Sequence, residues 1–323
     1  MSDSRTLGSS GIEVPAVGIG CNAFGTRIDE DRVRSVVDAA IDHGVAFFDT
    51  ADTYGLGASE ELLGRAIAGR RDEVVVATKF GMDMQGVNGD DGGRRGSPAY
   101  VRTAVEASLR RLGVDHLDLY HLHTPDPLTP IEDTLGALDE LVRAGTVRAI
   151  GCSNLQAWQL VDADWHARTR GYAAFVTAQN EYSLYNRTAE TELTPACEQL
   201  GVGILPYFPL AYGLLTGKYR RGAAAPDGTR LADARQSSRL EGADWERIDA
   251  LEAYAERHGI SLLQLAIGGL AAQPAVSSVI AGVTSAEQVA ANAAAGSWVP
   301  TAEQRDELAG IGRPTMSYTT FAP

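Results

Sequence analysis

The sequence predicts an α/β protein that folds as one (β/α)8 TIM barrel with long loops at its carboxyl-terminal face. Eight short apolar runs recur along the 323 residues, and helical patterns separate them, mostly at intervals of about 30 residues. The runs are almost continuously apolar rather than alternating, as parallel strands buried on both faces are. A barrel of this size is one unit, so we predict a single domain over residues 1–323.

The strands are assigned from apolar, β-rich composition between turn signals. They are 14–20, 45–50, 74–79, 117–123, 146–153, 173–179, 201–208 and 276–282. The seventh unit carries an irregular insertion (210–242), and a second long loop (81–96) follows the third strand. In a barrel the loops after strand carboxyl ends form the site, so we expect both long loops to be functional.

The helices follow from apolar periodicity and end signals. Valine, alanine and isoleucine repeat at i, i+3, i+4, i+7 and i+8 over 33–41, which is one face of a helix. Ser97 is a predicted N-cap followed by Pro98 at the first helical position, and that helix ends at Gly113. The other helices are predicted over 58–70, 130–145, 156–170, 188–200, 244–272 and 285–294.

Composition limits the partners that we expect. The net charge is −14 and the pI about 4.9, which disfavours nucleic acid and anionic membrane surfaces. No apolar run approaches the roughly 18 residues of a membrane helix. Three widely spaced cysteines offer no disulfide framework. We therefore expect a cytoplasmic protein that acts on a small molecule.

Polar residues stand where the predicted strands end, and there they meet at one face of a barrel. Asp49 ends the second strand, Tyr54 follows it, Lys79 ends the third and His123 the fourth. A buried charge is tolerable when it is paired, so Asp49 and Lys79 are expected to pair. A lysine beside a phenol lowers the pKa of that phenol, which makes Tyr54 a candidate proton donor. Asp52, between them, is assigned a turn or capping role.

Two further observations bear on this cluster. Only two of the 28 basic residues are lysines, Lys79 and Lys218, which suggests that an ammonium is needed at both positions. His121 and His123 form a His-x-His pair of the kind that holds metal in barrel hydrolases, but no other histidine falls at a strand end. We therefore predict no metal site and place His121 in the barrel interior. Rossmann, P-loop and serine-elbow motifs are absent.

The chain resembles the aldo-keto reductase superfamily along nearly its whole length, in the branch that contains bacterial enzymes and potassium-channel β-subunits. The matching segments occur in family order: FFDTADTYG, ATKFG, DLYHLHTPD, AIGCSN, QNEYS, PYFPLAYGLLTGKY and VIAGVTSAEQVAAN. The resemblance implies NAD(P)H-dependent reduction of aldehydes or ketones. It also implies a catalytic tetrad of Asp49, Tyr54, Lys79 and His123.

The resemblance further implies a nicotinamide cofactor bound across the barrel mouth. At its nicotinamide end the implied contacts are Gly20, Cys21, Asn22, Asp49, Ser153, Asn154, Gln179 and Tyr207. Along the phosphates and adenosine they are Pro209, Leu210, Lys218, Arg230, Gly282, Thr284, Gln288 and Asn292. Thr284 stands where many relatives carry a basic residue, so NADH stays open. NADPH is still favoured, since the Thr284 hydroxyl, Gln288, Lys218 and Arg230 remain to hold its additional phosphate.

The substrate itself is not defined by the sequence. We expect a partly aromatic pocket lined by Asn22, Phe24, Tyr54, Phe80 and Met82. Two other functions stay open, a cofactor-binding redox sensor or regulatory subunit and, less favoured, a metal-dependent barrel hydrolase. The resemblance also leaves a homo-oligomer open.

Overall fold

Eight parallel strands close into a barrel in the computed structural model, which describes residues 4–233, 236–312 and 314. The described strands are β1 (Ser4–Thr6), β2 (Glu13–Pro15), β3 (Val17–Gly20), β4 (Phe47–Asp49), β5 (Val75–Phe80), β6 (Leu117–Leu122), β7 (Val147–Ser153), β8 (Phe175–Gln179), β9 (Gly203–Ile204) and β10 (Val279–Gly282).

The helices surround the barrel. They are α1 (Glu30–Asp42), α2 (Ala58–Ala66), α3 (Pro98–Leu112), α4 (Ile131–Arg143), α5 (Ala157–Arg170), α6 (Leu193–Leu200), α7 (Ser237–Glu241), α8 (Trp245–Arg257), α9 (Leu262–Gln264), α10 (Ala286–Gly296) and α11 (Ala302–Ala309). Short 3₁₀ segments cover Arg71–Glu73, Thr188–Glu190, Ala211–Thr216 and Arg230–Ala232, and a π-helical turn covers Leu265–Gly269.

The strand order confirms the predicted barrel. Neighbours run β10-β3-β4-β5-β6-β7-β8-β9, all in parallel. Bridges between Ile204 and Val276 and between Tyr207 and Ile280 join the two ends of this order. The amide of Ile280 donates to the carbonyl of Pro206 at 2.9 Å across the same seam. The sheet therefore has no free edge.

An antiparallel hairpin, β1–β2, was not predicted, and it divides the first predicted strand. Residues 13–15 pair with 4–6, and only Val17–Gly20 joins the barrel. Hairpin residues and inward-facing strand residues share one apolar cluster: Leu7, Ile12, Val14, Phe47, Ala77, Leu119, Ala149, Leu205 and Ile280. The hairpin thus packs against the barrel interior from the end opposite the carboxyl ends of the strands.

Most predicted helices are present within a few residues of their expected bounds. The Ser97 hydroxyl caps α3 by accepting from the amide of Tyr100, and Gly113 ends that helix with a φ of +65°. The predicted helix 244–272 is wrong as one element, because α8 ends before Gly259 (φ +64°) and Ser261 begins a new capping box at α9. Helices α7 and α11 were not predicted.

Strand alternation decides which side chains reach the site. Successive residues of a strand face opposite sides of the sheet, so Phe47 and Asp49 face the interior while Phe48 packs outward among the helices. On β5, Ala77 and Lys79 face inward by the same rule, and Phe80 faces outward. The interior is apolar at the hairpin end and polar where the strands end.

Candidate active site

Lys79 and Asp49 form an ion pair buried in the mouth of the barrel. Lys79 Nζ lies 2.6 Å from Asp49 Oδ2 and donates a second hydrogen bond to the carbonyl of Thr50 at 2.8 Å. Lys79 is 0% exposed and Asp49 is 2% exposed. Burial opposes the lysine charge, but the attraction and hydrogen bond of Asp49, together with Tyr54, outweigh it, so that the pKa of Lys79 is raised. The ammonium is therefore permanently charged at neutral pH.

Tyr54 lies against this ammonium, as the sequence predicted. Lys79 Nζ is 5.2 Å from the centroid of the Tyr54 ring. The net effect on the phenol differs from the expectation, because burial raises the pKa of Tyr54 more than Lys79 lowers it. The expected lowering below the ordinary value was therefore wrong. Tyr54 is a neutral hydroxyl, able to donate a proton, over the whole physiological range.

His123 faces Tyr54 from the end of β6. The two rings are 6.0 Å apart between centroids, in an edge-to-face arrangement. Burial, aided by the nearby charge of Lys79, lowers the pKa of His123 to about 3. Its Nδ1 atom is buried and has no hydrogen-bond partner among the described residues. His123 is thus a neutral imidazole that can hydrogen-bond to a substrate oxygen.

The amides on β7 and β8 are held by neighbouring groups. Gln179 Nε2 donates to Asp49 Oδ1 at 3.0 Å, so the carboxylate is bound on both oxygens. Ser153 Oγ donates to the carbonyl of Gln179 at 2.8 Å. Asn154 Nδ2 donates to the carbonyl of His123 at 2.9 Å, and its Oδ1 accepts from the Tyr207 hydroxyl at 2.8 Å. These bonds hold one wall of the site in place.

A cavity of about 770 Å³ opens at this face and contains most of the predicted residues. The predicted residues that line it are Gly20, Asn22, Asp49, Tyr54, Met82, His123, Ser153, Asn154, Gln179, Tyr207, Pro209, Leu210, Lys218, Arg230, Gly282, Thr284, Gln288 and Asn292. Residues that are far apart in the chain therefore share one cavity.

Three predicted residues lie elsewhere, and these assignments are corrected. Phe24 and Phe80 are fully buried in the outer core, and Cys21 is buried beneath the tetrad. Phe80 stacks on Tyr120 with 4.8 Å between ring centroids, because strand alternation turns it away from the side of Lys79. None of the three is among the described residues that line the cavity.

Lining residues that the sequence analysis missed come from loops, from the insertion and from α9, β10 and α10. They are Arg27, Phe208, Tyr212, Gly213, Thr216, Gly228, Thr229, Leu263, Ile280 and Ala291. Arg230 lies over the Phe208 and Tyr212 rings, and Arg239 lies 3.7 Å from the Tyr212 centroid. The aromatic residues and arginines within 208–239 could have predicted these contacts from the sequence. Nothing in the sequence around Leu263 indicates that it lines the cavity.

His121 is inside the barrel, where the sequence placed it. Its Nε2 atom is 2.9 Å from Thr177 Oγ1, and burial lowers the pKa of His121 well below its usual range. No cluster of three or more potential metal ligands occurs among the described residues. Nor does any described helix combine the length and apolar composition of a membrane span.

Asp52 lies in a turn, but its side chain caps no helix. It is fully buried, and Asp52 Oδ2 accepts a hydrogen bond from Asn88 Nδ2 at 3.2 Å. Burial, with the nearby charge of Glu60, raises the pKa of Asp52 to about 8. The predicted capping role is therefore wrong.

The cavity has features that fit a nicotinamide dinucleotide. Lys218 and Arg230 provide cations in its wall, which a pyrophosphate needs. Asn22 Oδ1 is buried in the wall and has no partner among the described residues, so it can accept from a ligand amide. Gly20 and Gly282, paired between β3 and β10, add no side chain to the wall.

Comparison with known proteins agrees with this geometry. Residues 16–313 match the model of the Aldo/keto reductase family. The chain is 35% identical over 291 residues to the uncharacterized oxidoreductase YrpG of Bacillus subtilis, covering 88% of this chain and 87% of that protein. It is 34% identical over 305 residues to a probable voltage-gated potassium channel subunit beta of Arabidopsis thaliana, covering 92% of each.

A solved structure shares the fold. It is the aldo-keto reductase AKR11C1 from Bacillus halodurans in its holo form, with a TM-score of 0.79 and 29% sequence identity. The match covers 96% of each chain. The match therefore includes the loops as well as the barrel.

Proposed function

The chain belongs to the aldo/keto reductase family of oxidoreductases, and from this premise we propose that it is an NADPH-dependent reductase of aldehydes or ketones. The observation that carries the proposal is the buried Asp49–Lys79 pair beneath the Tyr54 ring. Burying an ion pair costs free energy, because both charges lose their hydration. A pair kept at such a cost is a candidate for a functional role. Here it places a fixed positive charge beside a phenol that lines the cavity.

When bound, the cofactor supplies a hydride to the carbonyl carbon of the substrate. Tyr54 donates its phenolic proton to the carbonyl oxygen as negative charge develops there, so that the alcohol is the product. The Lys79 ammonium stabilises the phenolate that remains, and Asp49 holds the ammonium in place. Solvent then returns a proton to Tyr54.

His123 orients the substrate in this scheme. Its pKa of about 3 keeps the imidazole neutral, so it binds the carbonyl oxygen as a hydrogen-bond donor without competing with Tyr54 as an acid. A neutral His123 also avoids a second positive charge beside Lys79. The two groups thus divide proton transfer and orientation between them.

We assign NADPH on the cations of the cavity wall. Lys218 and Arg230 are its cations among the sequence-predicted contacts, and Arg27 lines the same cavity. The Thr284 amide and hydroxyl both donate to Gln288 Oε1, at 2.7 and 3.2 Å. No basic side chain stands at position 284, so Lys218, Arg230 and Arg27 are the cations that we assign to the phosphates.

A regulatory subunit is the second candidate function, favoured by the similarity to the probable potassium channel subunit beta. It would keep cofactor binding and have little turnover. Fluorescence titration of the purified protein with NADPH and NADH, followed by a panel of aldehydes and ketones, separates the two. Tight NADPH binding with turnover of at least one carbonyl supports the reductase. Binding without oxidation of bound NADPH supports the regulatory subunit.

A further inference from the structure

Asp52 belongs to a buried chain of polar contacts that joins five segments of the chain, here called the Asp52 network. Asn88 Nδ2 donates to Asp52 Oδ2 at 3.2 Å, and Asn88 Oδ1 accepts from Arg111 Nη1 at 2.9 Å. Arg111 Nε donates to Glu60 Oε2 at 2.6 Å, and Glu60 Oε1 accepts from Thr78 Oγ1 at 2.6 Å. The network therefore joins the turn after β4, the loop 81–96, α3, α2 and β5.

One end of the network meets the catalytic groups. The Asp52 amide donates to the carbonyl of Lys79 at 3.2 Å, and the Tyr54 amide donates to the carbonyl of Ala51 at 3.2 Å within the same turn. Thr78 directly precedes Lys79 on β5. A change in this network is therefore transmitted to the backbone that carries the proton donor.

The other end meets the loop that reaches the cavity. Met82, near the start of loop 81–96, lines the cavity beside Tyr54 and His123. Between Gly81 and Gly96 the buried residues are Met84 and Asn88, and of these two Asn88 has the polar side chain. The loop is tied again at its far end, where the Gly96 amide donates to Asp126 Oδ2 at 2.7 Å. Asn88 is thus the internal polar anchor of this loop.

The charges around Asp52 are unbalanced. Two carboxyl groups, those of Glu60 on α2 and of Asp52, lie near one cation, Arg111 on α3. The hydroxyls of Tyr100 (α3) and Tyr120 (β6) also interact with Asp52. Asp52 Oδ1 has no partner among the described residues. A protonated carboxyl suits this position, since ionisation would place a second negative charge beside Glu60.

We propose that Asp52 is a positioning residue that holds loop 81–96 against the substrate end of the cavity through Asn88, and so sets substrate affinity. The inference rests on the proposed function, because it concerns the carbonyl substrate of that same site. Asp52 acts through Asn88 and the backbone and does not touch the reacting atoms.

The first test compares Asn88→Ala with Val87→Ala, an exposed neighbour in the same loop, with benzaldehyde and NADPH as probes. We expect Asn88→Ala to raise the KM for benzaldehyde at least about fivefold while the Kd for NADPH stays within about twofold. Amide hydrogen exchange of the 81–96 peptide should quicken about tenfold in Asn88→Ala and not in Val87→Ala. An unchanged KM and unchanged exchange overturn the proposal.

The second test compares two substitutions at Asp52 and also serves if Asn88→Ala does not fold. Asp52→Asn retains an oxygen that accepts from Asn88 Nδ2, whereas Asp52→Ala removes that acceptor. We expect Asp52→Ala to raise the KM for benzaldehyde at least about fivefold and to quicken exchange of the 81–96 peptide, and we expect Asp52→Asn to stay close to the wild type in both measurements. Equal effects of the two substitutions, or no effect of Asp52→Ala, contradict the proposal.

The two hypotheses fail in different ways. If the wild-type protein reduces no carbonyl, the proposed function is wrong. The exchange of the 81–96 peptide still shows whether Asp52 and Asn88 hold the loop, because that measurement needs no turnover. If turnover is present and the loop exchange is the same in all variants, only the positioning role is wrong.

Discussion

Lys79 Nζ and Asp49 Oδ2 lie 2.6 Å apart in an interior from which water is almost excluded, and the same ammonium stands over the Tyr54 ring. Neither charge could be buried alone without a large penalty. The pair is therefore a unit, in which the carboxylate keeps the lysine charged and the lysine acts on the phenol. The predictions below start from this unit.

Tyr54→Phe should lower kcat by about 10²- to 10⁴-fold, the usual contribution of general acid catalysis. The ring and its packing stay, so the Kd for NADPH should change less than about twofold. Steady-state kinetics and fluorescence titration measure the two quantities. Tyr172→Phe, at a half-buried tyrosine outside the cavity, is the matched control. Near-normal turnover of Tyr54→Phe would remove the proton-donor assignment.

Lys79→Met should abolish turnover and destabilise the fold by about 3–5 kcal/mol, because it leaves the buried Asp49 carboxylate unpaired. Urea unfolding at pH 7 measures the free energy of unfolding. The double variant Asp49→Asn/Lys79→Met should recover much of that stability without recovering turnover. If the single variant is as stable as the double variant, the two groups are not energetically coupled.

The neutral state of His123 predicts a particular pH dependence. Its pKa is lowered to about 3, while the unfolded chain has an ordinary histidine pKa near 6.5, so the unfolded state binds the extra proton. Stability should thus fall as the pH falls from about 6.5 toward 3, by up to about 1.4 kcal/mol per pH unit for this residue. The difference in the free energy of unfolding between the wild type and His123→Gln, measured across this pH range, gives this contribution.

The neutral state of His123 also predicts how activity depends on pH. The kcat/KM for a carbonyl should show no histidine inflection between pH 5 and 7, because His123 does not change its charge there. An inflection near pH 6.5 that disappears in His123→Gln would show that His123 titrates during catalysis. Initial rates across buffers of constant ionic strength are sufficient for this measurement.

Cofactor preference can be altered at position 284. Thr284→Arg should lower the Kd for NADPH about tenfold and leave the Kd for NADH nearly unchanged, since an arginine pairs with the additional phosphate. The gain should shrink as salt rises. Thr103→Arg on the exposed face of α3 controls for net charge. Equal tightening of NADPH and NADH would place the adenosine phosphate elsewhere.

The sequence by itself determined the barrel, the positions of the tetrad and most of the cavity wall. Apolar runs of strand length are a local property of the sequence, and strand ends in a parallel barrel converge on one face. Asp49, Lys79 and His123 could therefore be placed together before any contact was known. The β1–β2 hairpin was missed, because its strands are only three residues long.

The tertiary structure decided what depends on segments far apart in the chain. Burial by the surrounding elements, opposed by Lys79, set the pKa of Tyr54 above its usual range. Asp52 is joined in the fold to Asn88 and, through it, to Arg111 and Glu60. Nothing in the spacing of these residues along the sequence predicts these contacts. Desolvation and electrostatic interaction act through space, so residue types and local periods cannot report their balance.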